Sequence, residues 1–208
     1  MNTAPMLRLL LIRHGETDWS RERRFCGRSD PPLNERGIQQ AEVLAERLRG
    51  ENLAAGYTSP SRRSRQTADT LRVAAQLGVT FIERVELREQ DFGEWEGRLP
   101  EEIARQAPAL WSAWQSGQVP EPHGGELLAA VAERAQHWVS EVARSCAGGT
   151  VAAVAHGGVL QAMLCVLLGT PLRPLWPYRL APGGVAEVWL YPLGAVLICL
   201  SKASPLET

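Results

Sequence analysis

The chain has 208 residues, with 22 Lys and Arg against 23 Asp and Glu and a formal net charge of −1. Hydrophobic residues make up 45% and charged residues 22%, which excludes a disordered chain and leaves enough apolar side chain for a full-sized core. The balanced charge gives no basic field for nucleic acid, and no apolar run reaches the roughly 20 residues of a membrane helix.

Residues 7–12 are a short apolar run without helical period and read as a buried strand. Arg13, His14 and Glu16 follow at once, so the run is no secretion signal. Residues 34–49 read as a helix: Asn34 is the N-cap, Ile38, Ala41, Leu44, Ala45 and Leu48 recur at helical spacing, and Gly50 stops it. A strand at 53–57, a helix at 61–77 ending at Gly78, and a strand at 79–82 follow. Residues 92–125 hold Trp95, Trp111 and Trp114 among prolines and glycines, and read as short helices and loops. Residues 126–144 form a helix with Leu127, Leu128, Val131, Ala135, Trp138, Val139 and Val142 on its apolar face. Gly148 and Gly149 break it before a buried strand at 150–155. Gly157 and Gly158 then open a helix to Leu168, and strands at 185–190 and 195–200 close the chain.

Strands alternating with helices predict an α/β fold, with a mostly parallel central sheet and helices on both faces. We expect one domain over residues 1–208, with a small cap-like insert at about residues 92–125. Cys26, Cys146, Cys165 and Cys199 lie far apart without C-x-x-C spacing, which predicts neither a zinc site nor a disulfide framework. Reduced thiols in a cytoplasm are the plain reading. No metal, cofactor, nucleic acid or membrane is expected to partner the chain, and a homodimer is left open.

Ligands of such sheets bind at the carboxyl ends of the strands. Three polar clusters fall there: Arg13-His14-Gly15, residues 59–65 with Arg62, Arg63 and Arg65, and His156-Gly157-Gly158. Arginine forks match phosphate oxygens, and glycines at a helix start expose backbone N–H groups to an anion. A phosphate monoester is therefore the natural ligand. A neutral imidazole in such a site can accept a phosphoryl group, and neighbouring arginines keep it neutral. The leaving alkoxide then needs a proton from a carboxylic acid, for which Glu89, Glu16, Glu86 and Asp91 compete.

The motifs also occur in a familiar order. Leu11-Ile12-Arg13-His14-Gly15-Glu16-Thr17 resembles the signature of the histidine phosphatase superfamily, the phosphoglycerate mutase-like enzymes. The likeness continues through Asp30-Pro31-Pro32-Leu33 and Gly37, Thr58-Ser59-Pro60 to Ala68, and Leu87-Arg88-Glu89. It extends to Phe92-Gly93-Glu94-Trp95-Glu96-Gly97, Gly124-Gly125-Glu126 and Val154-Ala155-His156-Gly157-Gly158. The resemblance implies a three-layer α/β/α sandwich and a phosphohistidine on His14. Arg13, Arg63 and His156 would hold the phosphate, and Glu89 would serve as acid and then base. Ser20, Cys26, Gly27 and Gly157 are expected around the phosphate or substrate.

Many relatives have Asn where this chain has Ser20, Ser where it has Leu127, and Leu where it has Ser61; none of these removes a catalytic group. At Leu127 the expected consequence is local, in helix capping or packing. Phosphatases and mutases of this kind share the phosphohistidine and differ in its acceptor, water or a phosphoglycerate. The modest stretch between Gly97 and Gly124 and the short run after Leu200 favour a phosphatase. The likeness is to the α-ribazole and broad-specificity phosphatase branches, with α-ribazole 5′-phosphate one candidate substrate. A phosphoserine or fructose-2,6-bisphosphate phosphatase, a cofactor-dependent phosphoglycerate mutase and a non-catalytic phosphate-binding module stay open as alternatives.

Overall fold

The computed structural model describes residues 4–117, 121–173 and 177–201. Its strands are β1 (Leu7–Arg13), β2 (Ala55–Thr58), β3 (Phe81–Glu83), β4 (Thr150–Ala155), β5 (Val185–Tyr191) and β6 (Gly194–Ser201). They form one six-stranded sheet in the order β3-β2-β4-β1-β5-β6. The four strands from β3 to β1 run parallel, and β5 and β6 close the sheet as antiparallel neighbours. Strand β4, late in sequence, enters between β1 and β2, so the carboxyl ends of these three strands share one edge.

The apolar runs of β1 and β4 follow from burial on both faces. Leu7, Leu9 and Leu11 with Val151, Ala153 and Ala155 point to one side. There they meet Trp138 and Val142 of α6 (Leu128–Ser145) and Leu160 and Met163 of α7 (Gly157–Leu168). Leu10, Ile12, Ala152 and Val154 point to the other side, against α2 (Glu35–Leu48) and α3 (Arg62–Ala74). These are the two helical layers of an α/β/α sandwich. A one-turn helix, α1 (Asp18–Arg21), follows β1 and has no counterpart in the sequence reading.

Asn34 caps α2 as expected, its side chain accepting from the Gly37 N–H at 2.9 Å. Two assignments of side chains to apolar faces need correction. Ile38 is 42% exposed and Leu127 47% exposed. In α2 the buried stripe runs through Gly37, Gln40, Ala41, Leu44, Ala45 and Leu48, with polar Gln40 facing inward to serve a loop described below. Leu127 is the N-cap of α6, outside the helix proper, and provides no side-chain cap. Helix α3 also stops short of residue 77, because Gln76 turns to φ +54°.

The insert contains α4 (Pro100–Gln106) and α5 (Pro108–Gln115), each opened by proline at the first helical position. Pro108 forces Ala107 out of helical geometry, which separates the two. Phe92, Trp95, Ile103 and Trp114 pack together there with Phe25, Leu110 and Trp111, as a cluster distinct from the two sheet cores. Trp111 and Trp114 stack at 5.3 Å between centroids.

The largest fully buried side chain is Trp138, which meets Tyr57 edge-to-face at 5.5 Å. Trp138→Ala should cost about 3–5 kcal/mol of stability, read from urea unfolding. A loss below about 1 kcal/mol would mean that the α6 face carries little of the core energy.

Candidate active site

The three polar clusters meet at the shared sheet edge. His14 continues β1, its backbone N–H donating to Ala155 O at 3.0 Å. The loop behind it is pinned from two helices. Gly15 N–H donates to Thr67 Oγ1 of α3 at 3.1 Å, and Glu16 N–H donates to Gln40 Oε1 of α2 at 2.8 Å. A Cβ on Gly15 would lie 2.3 Å from Gly37 O, so both glycines are required by the close approach of loop and helix.

The His14 ring is buried and its orientation is fixed. Nδ1 lies 2.7 Å from Gly15 O, and a carbonyl only accepts, so Nδ1 carries the hydrogen and Nε2 the lone pair. Arg63 Nε–H points to His14 Nε2 at 3.3 Å and to His156 Nδ1 at 3.2 Å. His156 Nδ1 is thus an acceptor, and its Nε2–H donates to Ser59 Oγ at 2.8 Å. Burial, followed by the charges of Arg63 and Arg13, holds His14 well below the ordinary histidine range. Burial and the Arg63 charge do the same to His156. Both rings are neutral near pH 7.

Arg63 is only 1% exposed, while Arg62 and Arg65 of the same run face outward. Its terminal nitrogens donate to Ser29 O at 2.7 Å, Gly27 O at 3.1 Å and Cys26 O at 3.3 Å. Arg13 donates to Leu180 O at 2.8 Å, and its buried Nε has no hydrogen-bond partner among the described residues. A buried guanidinium N–H left over beside a second guanidinium suits an anionic oxygen.

Of the four competing carboxylates, only Glu89 lines the cavity. Its Oε1 accepts from Val159 N–H at 2.9 Å and Gln90 N–H at 3.0 Å, and its Oε2 from Gly158 N–H at 2.8 Å. Glu89 therefore sits on the N-terminus of α7. Glu16 is tied to Asn34 Nδ2 at 3.0 Å, Glu86 to Arg84 at 3.0 Å, and Asp91 faces Arg28 at 3.4 Å.

Arg13, His14, Arg63 and Glu89 line a cavity of about 960 Å³, with Phe25, Phe92, Trp111 and Trp114 on its apolar side, while His156 lines a smaller neighbouring cavity of about 310 Å³ that Glu89 also lines. Ser20, Cys26 and Gly157 also line the larger cavity. Ser20 is already engaged with Thr17: its Oγ donates to Thr17 O at 3.0 Å and accepts from Thr17 N–H at 2.9 Å. Burial pushes the Cys26 thiol up to about 11, so it stays protonated. Gly27 lines the smaller cavity with His156 and Glu89; its N–H donates to Glu96 and its carbonyl faces Arg63. A Cβ on Gly157 would come 3.3 Å from Arg13 Cζ, but the tighter place is Gly158, whose Cβ would lie 2.5 Å from Glu89 Oε1. Gly158 and Ser59 belong to the clusters read from the sequence without a role of their own, and Thr67 and Glu96 lie within the motifs that carry the family resemblance. Among the described residues no group of three or more His, Cys, Asp or Glu is placed to hold a metal ion.

The fold is an α/β sandwich, and its site pairs two neutral imidazoles with two guanidiniums at one sheet edge. The chain belongs to the histidine phosphatase superfamily (branch 1), whose family model matches residues 9–201. It is similar to phosphoserine phosphatase 1 of Hydrogenobacter thermophilus, with 37% identity over 83% of this chain and 82% of that one. It is also similar to the adenosylcobalamin/alpha-ribazole phosphatase of Escherichia coli, with 32% identity over 85% of this chain and 87% of that one. The solved structure of Bacillus stearothermophilus YhfR superimposes with a TM-score of 0.86 at 34% identity, covering 97% of this chain and all of that one. The chain is a phosphoric monoester hydrolase of this family.

The depressed histidines tie stability to pH. Below about pH 6.5 the unfolded chain takes up protons that folded His14 and His156 refuse. Stability is therefore full above that value and falls as pH drops toward the folded values, by up to about 1.4 kcal/mol per pH unit for each ring. Urea midpoints between about pH 7.5 and pH 5.5 should show this fall, and His14→Asn should reduce it to the part that His156 contributes. Equal slopes in the two proteins would show that His14 titrates normally.

Proposed function

We propose that the chain hydrolyses a small phosphorylated metabolite by transferring its phosphoryl group first to His14 and then to water, without a metal. One observation carries this reading above the others: the His14 ring is locked by its Nδ1–H to Gly15 O, with neutral Nε2 facing the arginines. His14 Nε2 attacks phosphorus, and the ester P–O bond breaks. Arg13 and Arg63 hold the equatorial oxygens, where charge stabilisation does most of the work, and His156 joins them through its other tautomer, with Nδ1–H donating to the phosphate and Nε2 accepting from the Ser59 hydroxyl. Protonated Glu89 gives its proton to the leaving oxygen; Oε2 accepts a single N–H, which leaves a lone pair for that proton. Water then attacks the phosphohistidine, Glu89 takes its proton, and the N–P bond breaks to release phosphate.

Residues 92–125 act in this reading as a cap on one domain, whose aromatic side receives the leaving alcohol. A cavity of about 960 Å³ lies at the upper end for small-molecule sites. That favours a ring-bearing alcohol, as in α-ribazole 5′-phosphate, over phosphoserine. No described helix is long and apolar enough to cross a membrane, and all four cysteines are free, which fits work in the cytoplasm.

Phosphate release should be measured in excess EDTA on α-ribazole 5′-phosphate, phosphoserine, 3-phosphoglycerate and 4-nitrophenyl phosphate. His14→Ala should lose all turnover and keep its fold. Conversion of 3- to 2-phosphoglycerate without phosphate release would make the chain a mutase instead. Glu89→Gln should slow steady turnover by about 10²–10⁴-fold. With 4-nitrophenyl phosphate, whose leaving group needs little acid help, it should still release a stoichiometric burst and accumulate acid-labile phosphohistidine. Absence of that burst would remove Glu89 from the hydrolytic half.

Trp111→Ala tests the wall. It should raise KM for the ring-bearing ester more than for phosphoserine. Equal changes would make the cluster a packing element only.

A further inference from the structure

Arg63 is buried, yet its hydrogen-bonding groups meet backbone carbonyls and histidine rings, and its ion pair with Asp30 is long, at 4.0 Å. The loop that supplies those carbonyls is held from behind. Glu96 Oε1 accepts from Gly27 N–H at 2.8 Å and Arg28 N–H at 3.0 Å, and Oε2 from Ser29 N–H at 3.3 Å. A trans peptide directs its C=O opposite to its N–H. The unit joining Cys26 to Gly27 thus donates to Glu96 and presents Cys26 O to Arg63. The unit joining Gly27 to Arg28 does the same with Gly27 O. Each peptide is a bridge with the carboxylate at its positive end and the guanidinium at its negative end. Gly27 is required for this arrangement, since a Cβ there would lie 2.5 Å from Glu96 Oε1 and 2.0 Å from Gln90 O.

We infer that Glu96 is a positioning residue for the reaction. Its charge, relayed through two peptide units, orients the 26–29 loop and holds Arg63 Nε between His14 and His156. This rests on the proposed role of Arg63 at the phosphate. Glu96 touches no reacting atom in this scheme, and its absence would leave Arg63 free to swing off the shared axis of the two imidazoles. A merely structural Glu96 would hold the insert to the loop and leave the phosphate site unaffected.

The test is a double-mutant cycle on kcat/KM and on inhibition by inorganic phosphate, with melting temperature as the folding control. Glu96→Gln keeps the shape and loses the charge; Glu96→Asp keeps the charge and shortens the reach. Glu96→Gln should lower kcat/KM and weaken phosphate inhibition by about tenfold to a hundredfold, the cost of misplacing a charged group by about 1 Å. Glu96→Asp should recover part of both, and it carries the cycle in place of Glu96→Gln if that protein does not fold. In an Arg63→Ala background neither Glu96 variant should weaken phosphate inhibition further. A full additional loss in that background, or a fall in melting temperature with both constants within about twofold of the parent, would overturn the inference. If Arg63→Ala alone leaves both constants unchanged, the role of Arg63 fails instead, and with it the proposed phosphate site.

Discussion

A buried guanidinium whose ion pair with Asp30 is long, at 4.0 Å, is the constraint from which the site follows. A charge taken out of water must be met by dipoles, and around Arg63 those dipoles are backbone carbonyls and the lone pairs of two imidazoles. Meeting them requires His14 and His156 to be neutral and to hold particular tautomers. The Gly15 carbonyl and the Ser59 hydroxyl set those tautomers from the far side of each ring. In the proposed reaction the same cation that disfavours protonation of the rings meets the incoming dianion, so the resting arrangement already favours the charge that step brings.

The sheet makes this convergence affordable in strain. Three parallel strands deliver their C-terminal residues to one edge, and the buried alternation of β1 and β4 fixes which way His14 and His156 leave the sheet. Helices on both sides then supply the fastenings: Gln40 and Thr67 for the loop after β1, and the α7 N-terminus for Glu89. The helix end that could bind an anion is occupied by a side chain of the protein itself, which fixes a carboxylate in the wall of the cavity that Arg13 and Arg63 also line.

Much of this was legible in the sequence, in uneven depth. The runs of β1 and β4, the Asn34 cap and the glycine start of α7 are local signals, and the structure keeps them. The clusters containing Arg13, His14, Arg63 and His156 could be seen to end strands, and the family resemblance set them in one site. Among four carboxylates, spacing could not select Glu89, because selection depends on reaching the amides of Gly158 and Val159 some seventy residues away. Ile38 and Leu127 were misassigned for a related reason: helical period gives a stripe, but docking and the helix start decide which residues of the stripe are covered. The Gly27 N–H donates to Glu96, a pairing across residues that no local pattern encodes.

The aromatic cluster of the insert has a consequence through its place in the chain. Trp95 lies within that cluster, and the next residue is Glu96, whose carboxylate grips the loop behind Arg63. The surface proposed to meet the leaving alcohol and the clamp proposed to steady the cation are consecutive on one short backbone. Under the proposed roles, selectivity and turnover are mechanically geared in this protein: repacking the wall to admit a new alcohol also turns the handle on the phosphate grip. Evolution or engineering of a new substrate range would then proceed through paired changes, one in the wall and one restoring the loop.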